Sequence, residues 1–152
     1  VVAQLNDVEA KLDALVRDDP PSQRLLSSPG VGPRTAETIA AYVDRPQRFR
    51  NSRQVSAYAG LVPRQYQSGQ TDRRGRSTRR GPRLLRKMLV EAAWVMLRYN
   101  EWARRIVQRI SKGQRTRKRQ AVVALARKLL VRCWALLRHE TTWRDPVPLA
   151  SI

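Results

Sequence analysis

The sequence has one cysteine, one histidine and one phenylalanine in 152 residues. A lone cysteine, Cys133, excludes an internal disulfide and offers too few thiolates for a zinc site. It lies within the apolar run from Leu129 to Leu137 and is expected in a core, in a reducing cytoplasm. The single histidine, His139, stands at a helix end, and only five carboxylates follow residue 44. A Ser-His-Asp triad or a paired-carboxylate metal site within this chain is therefore not expected. No apolar run approaches the ~20 residues that span a bilayer. The opening VVAQLNDVEAKLDALV is periodic and acidic, unlike a signal peptide, so no membrane partner is expected.

What is abundant is positive charge. The formal net charge is +19, which points to a polyanionic partner, with nucleic acid the first candidate. The charge is unevenly spread: residues 1–44 carry a net −3 and the remainder +22. Most of the basic residues are arginine, whose planar fork pairs two phosphate oxygens at once.

Along the chain, Val1, Leu5, Val8, Leu12 and Leu15 or Val16 recur at three- and four-residue steps and predict a helix with one apolar stripe that needs a partner. Asp18, Asp19, Pro20 and Pro21 stop it. This opening, residues 1–19, is expected to be the end of a connector helix from an amino-terminal domain. Residues 20–45 then read as a helix-hairpin-helix unit, with a tight Pro29-Gly30-Val31-Gly32 turn and a second helix begun by Pro33. Gly30 and Gly32 allow close backbone approach, and amides at the following helix start can hold a phosphate without reading sequence. A helix corner that binds nothing stays open as an alternative.

Residues 46–145 form the third expected unit, followed by a tail over 146–152. A loop and a short helix end at Gly60. The stretch LVPRQYQSGQTDRRGRSTRRG, residues 61–81, has no sustained apolar period and reads as an irregular or hairpin-like loop. Nine basic residues and one acidic residue, Asp72, fall between Arg64 and Lys87. Pro82 then opens an amphipathic helix with Leu85, Met88, Leu89, Ala92, Met96 and Tyr99 on the buried face. Its first turns carry Arg83, Arg86 and Lys87, which oppose the helix dipole and call for a bound phosphate. Helices over Glu101–Ile110 and about Thr116–Arg138 follow, the latter turning Val122, Leu125, Leu129, Cys133, Leu136 and Leu137 inward. Trp94, Trp102 and Trp134 are expected to complete a three-helix core. Between these last two helices lies the wholly basic connector SKGQRTRKRQ. The fold class expected is therefore mainly α, a helix-hairpin-helix module followed by an irregular loop and a three-helix core.

The chemistry that remains is serine among arginines. A hydroxyl attacking a phosphodiester must lose its proton, and the charge growing on phosphorus must be neutralised, which guanidinium groups do well. Ser68 precedes Gly69 in a turn, with Arg64 upstream and Arg73, Arg74 and Arg76 downstream; Ser77 competes with it. Read from the residues alone, Ser68 is first a turn serine bonded to its own backbone.

The blocks PGVGPRTAETIAAYV, FRNSRQVSAYAGLVPRQYQSGQTDRRGRSTRRGPRLLRKMLVEAAW and AVVALARKLLVRCWALLR, spanning roughly residues 20–140, closely resemble the transposase domain of the IS110 and IS116 insertion-sequence family, related to the Piv-type DNA invertases. The resemblance implies a two-part enzyme. An amino-terminal RuvC-like domain would carry four acidic ligands for a divalent metal, Mg, and a carboxy-terminal domain would carry a serine. It places that serine on Ser68, in YAGLVPRQYQSG. It further implies a phosphoserine-linked DNA strand, strand exchange and religation, guidance by a structured bridge RNA, and a homo-oligomer in the full enzyme. A bacterial, nucleoid-associated setting follows from the same likeness. The RuvC-like part is missing from this sequence, so the chain alone is expected to be inactive and to hold no cofactor itself.

The roles of the arginines come from charge and proximity. Arg64, Arg73, Arg74 and Arg76 are candidate transition-state stabilisers, whereas Arg79, Arg80, Arg83, Arg86, Lys87, Lys112, Arg115, Arg117, Lys118 and Arg119 are candidate contacts to a nucleic-acid backbone. The competing reading is a non-enzymatic helix-hairpin-helix module that binds DNA or RNA.

Overall fold

The computed structural model describes residues 1–61 and 82–145. These residues form seven α-helices and no strand, so the fold is mainly α: α1 Val2–Asp18, α2 Pro20–Leu26, α3 Pro33–Val43, α4 Ser52–Tyr58, α5 Arg83–Tyr99, α6 Glu101–Ser111 and α7 Lys118–His139. The expected loop over 61–81 lies outside the described residues except for Leu61, and so does the tail over 146–152.

Short polar residues set the breaks. Asp19 is extended, as a residue before proline must be, which ends α1. Its carboxylate then accepts from the Ser22 amide at 3.2 Å and the Ser22 hydroxyl at 2.6 Å, capping α2. Asn51 caps α4 through the Gln54 amide, and Asn100 ends α5 while capping α6 through the Ala103 amide. Pro33 opens α3 from Gly32 as expected. Lys112 and Gly113, both at positive φ, close α6.

One hydrophobic core joins the early helices to the late ones. Leu25, Val31, Ile39 and Val43 of the α2–α3 region belong to the same cluster as Leu85, Leu89 and Met96 of α5 and the inward face of α7. Helix α7 is central: it packs on α5, α6, α4, α2 and α3, and it buries ten side chains, Cys133 and Trp134 among them. Each fully buried Leu there contributes about 1.5–3 kcal/mol. Arg48 fastens the edge, its guanidinium 4.4 Å from the Phe49 ring and 4.8 Å from the Tyr58 ring while it donates to the carbonyls of Val43 and Tyr42.

Two expectations about this core are corrected. Trp94 is 39% exposed and Tyr99 is 77% exposed. At 100° per residue Trp94 lies almost opposite Ala92 and Met96, which face the core. At the α5–α6 corner Asn100 takes the buried position, leaving Tyr99 outside.

Helix α1 rests on α2 and α3. Val16 is its one buried residue, and Val1, Leu5, Val8 and Leu15 stay exposed. Arg34 of α3 holds it by pairing with Asp13, and also pairs with Glu37 at 2.8 Å.

Candidate nucleic-acid interface

Two cationic helix starts dominate the electrostatics of the described residues. Helix α5 begins at Arg83 with no acidic residue in its first turn and no side-chain cap. Arg83 and Lys87 are exposed, whereas Arg86 is half-buried with one terminal nitrogen, Nη1, enclosed and unpartnered among the described residues. Helix α7 repeats the pattern: Arg115–Arg117 form a 3-10 turn leading into Lys118 and Arg119, again without an acidic residue in the first turn. Lys112, Arg115, Arg117, Lys118 and Arg119 are all exposed and make no ion pair among the described residues. Cations at a helix N-terminus oppose its dipole by about 0.3–1 kcal/mol each, so both starts favour a bound anion.

Pairing of α6 with α7 adds cations that sequence reasoning missed. Lys128 has its pKa lowered, first by burial and then by repulsion from Arg127 and Arg109. Three positive side chains from two helices thus share one neighbourhood. The only sequence signal for this was the helical spacing of each, since which faces meet is a tertiary fact.

The turn of the expected helix-hairpin-helix unit is occupied differently at its two glycines. Gly30, at φ +77°, lies against α5, and a β-carbon there would stand 2.6 Å from the Ala92 carbonyl oxygen. The close approach it permits is therefore made to the protein's own helix. Gly32 faces solvent, with nothing within 4 Å of a β-carbon placed on it. Arg34, the one cation in that helix start, is engaged by Asp13 and Glu37.

Ser68, its competitor Ser77, and Arg64, Arg73, Arg74, Arg76, Arg79 and Arg80 lie outside the described residues. The flanks of that span are anchored. Leu61 is buried and donates its amide to the Ser56 carbonyl at 3.0 Å, and on the other side Leu85 is fully buried. The cationic first turn of α5 thus follows the serine-and-arginine stretch directly in the chain.

A second aromatic-cationic cluster closes the far end of α7. Arg132 lies against two indoles that themselves meet edge to face, 5.3 Å from the Trp102 ring and 4.5 Å from the Trp143 ring, and donates to the Arg144 carbonyl at 2.6 Å. Asp145 accepts from the Trp143 indole at 2.7 Å and from Asn100 at 2.9 Å. Those two hydrogen bonds hold its carboxyl below the usual range, helped by nearby Arg132 and Arg105. Beside it an open cavity of about 620 Å³ is lined by Arg132, His139, Thr141, Thr142 and Arg144 among others.

Among the described residues no three of His, Cys, Asp and Glu come together as a metal cage. None of the described helices is long and apolar enough to cross a membrane. What the described surface does offer is arranged positive charge, suited to holding phosphates.

A family profile described as Transposase IS116/IS110/IS902 family matches residues 22–108. A Pseudomonas aeruginosa protein named "Probable family 20 transposase" is 37% identical over 150 residues, covering 93% of this chain and 43% of its own length. The transposase for insertion sequence element IS1111A of Coxiella burnetii is 36% identical, covering 92% of this chain and 39% of its own length. A pilin gene-inverting protein of Moraxella lacunata is 30% identical over 118 residues, covering 76% of this chain and 36% of its own. The chain thus spans about two fifths of the length of these curated relatives.

Proposed function

As the chain belongs to the IS116/IS110/IS902 transposase family, we propose that it is the serine-bearing, phosphate-holding part of an enzyme that cuts and rejoins DNA. The observation that carries this reading is the placement of the family match. Residues 22–108 enclose both the Ser68 stretch and the uncompensated cationic start of α5. The likeness to a gene-inverting protein favours strand exchange over simple hydrolysis, because inversion requires each cut end to be joined to a new one.

In this reading the Ser68 hydroxyl attacks a DNA phosphorus, giving up its proton as the sugar oxygen leaves with one. The strand stays attached as a serine phosphate ester until a hydroxyl of another strand displaces the serine. Arg64, Arg73, Arg74 and Arg76 neutralise the phosphate oxygens during both steps. Arg79, Arg80, Arg83, Arg86, Lys87, Lys112, Arg115, Arg117, Lys118 and Arg119 hold neighbouring phosphates without reading sequence. The described residues gather no metal-ligating cluster. Following the family resemblance, a divalent metal, Mg, is assigned in this proposal to carboxylates of an amino-terminal RuvC-like domain, where it would add Lewis-acid assistance. Guidance by a bridge RNA and homo-oligomer assembly complete the proposal. The exposed apolar stripe of α1, with Val1, Leu5 and Val8, is consistent with pairing between copies.

The test is a recombination assay with the complete transposase, its guide RNA and donor DNA. Ser68→Ala is expected to abolish strand cleavage while leaving DNA affinity nearly intact. Cleavage that survives the substitution overturns the serine assignment.

A further inference from the structure

The solvent face of α5 has an unusual make-up. Positions 84, 87, 91, 94, 95, 98 and 99 fall on one half of the helix surface at 100° per residue. They carry the exposed apolar side chains Leu84, Trp94, Val95 and Tyr99, together with the cations Lys87 and Arg98 and one carboxylate, Glu91. From the start of α7, Lys118 reaches over to place its ammonium 5.6 Å from the centre of the Trp94 ring. That distance is within cation–π range. The ring remains partly open, and Arg98, one turn along α5, stands on the same side.

Charge decides what covers this face. The cores of protein–protein interfaces are depleted in charged residues, whereas here an open indole has the Lys118 ammonium at its ring and shares its face with Lys87 and Arg98 against one carboxylate, Glu91, in a chain of net charge +19. An aromatic ring flanked by positive charge is the arrangement that binds single strands: phosphates meet the cations and a base stacks on the ring. Bases inside a duplex are already stacked and out of reach.

We propose that the α5 face around Trp94 seats unpaired DNA, with a base stacked on Trp94 and the adjoining phosphates held by Lys118 and Arg98. This rests on the recombinase reading, since strand exchange must leave bases transiently unpaired next to the cuts. The seat gives the exchanged strand a place to wait before rejoining.

The test measures affinity of the full chain for four fluorescent probes: short oligothymidylate, the same strand without bases, duplex DNA, and oligouridylate RNA. Wild type is compared with Trp94→Ala, Trp94→Phe and Lys118→Ala, with the fold of each variant checked by circular dichroism. Trp94→Ala is expected to weaken oligothymidylate binding about 10-fold, Trp94→Phe to restore most of it, and abasic and duplex affinities to stay unchanged. Lys118→Ala is expected to weaken every probe and to flatten the salt dependence. An unchanged oligothymidylate affinity in Trp94→Ala, or an equal loss on the abasic strand, overturns the proposal while leaving the recombinase reading in place. A loss confined to RNA, or a change in oligomer mass without a change in affinity, likewise overturns it in favour of another occupant. Wild type that binds none of the four probes overturns both.

Discussion

Gly30 lies so close to α5 that a β-carbon on it would stand 2.6 Å from the carbonyl oxygen of Ala92 and 3.1 Å from the amide nitrogen of Met96. The obstacle is backbone, which cannot swing aside, and the φ of +77° disfavours any side chain. This contact fixes the α2–α3 turn on the helix whose first turns carry Arg83, Arg86 and Lys87.

Gly30→Ala is therefore expected to lower stability by about 2–4 kcal/mol, from left-handed strain together with overpacking. Gly32→Ala, at a negative φ in open space, is expected to cost under about 1 kcal/mol. Thermal denaturation of the two variants checks the contrast, and equal effects would contradict the packing role given to Gly30.

The Asp145 carboxyl, with its pKa depressed by the Trp143 and Asn100 hydrogen bonds, links the Trp143 segment to pH. A carboxyl with a lowered folded pKa contributes stability that is present above its unfolded value. That stability is lost as pH falls through the folded value. Melting temperature is expected to drop more steeply with acid below the ordinary carboxylate range in wild type than in Asp145→Asn. Parallel curves would show that the Asp145 hydrogen bonds do not persist in solution.

Cys133 is fully buried, and loss of solvent pushes its thiol up to about 12, with the Ser28 contact offsetting only part. At pH 8 only about one thiol in 10,000 is then ionised. Iodoacetamide is expected to leave the folded chain unmodified and to label it promptly in denaturant, as read by mass spectrometry.

Arg117 and Arg119, exposed at the start of α7 and unpaired among the described residues, are proposed to contact DNA phosphates. Replacing either by Ala is expected to weaken DNA binding on any sequence and to reduce the slope of log affinity against log salt by about 1. A sequence-dependent loss at constant slope would contradict a phosphate role.

Local signals made much of the fold legible. Pro33 and Gly32 marked the start of α3, and the apolar period of α7 placed Leu125, Leu129 and Cys133 inward, where they are. Trp94 and Tyr99 were misread because hydrophobicity alone assigns a large aromatic to the core, whereas the helix surface turns one almost opposite the buried stripe and the corner at Asn100 expels the other. The meeting of Arg109 with Lys128, and of Asn100 with Asp145 across 45 residues, depends on how helices and the segment after α7 dock, which no local pattern encodes. Of the candidate site, the cations from Arg83 onward can be placed, while Ser68 and the arginines near it fall outside the described residues.

The most direct measurement is a denaturing-gel search for a covalent protein–DNA adduct, using the complete transposase with guide RNA, divalent metal and donor DNA. An adduct formed by wild type and absent from Ser68→Ala is the predicted result. An adduct that persists in Ser68→Ala would move the nucleophile elsewhere, with Ser77 next. No adduct from a wild type that demonstrably recombines would contradict serine catalysis and leave this chain a nucleic-acid-binding domain.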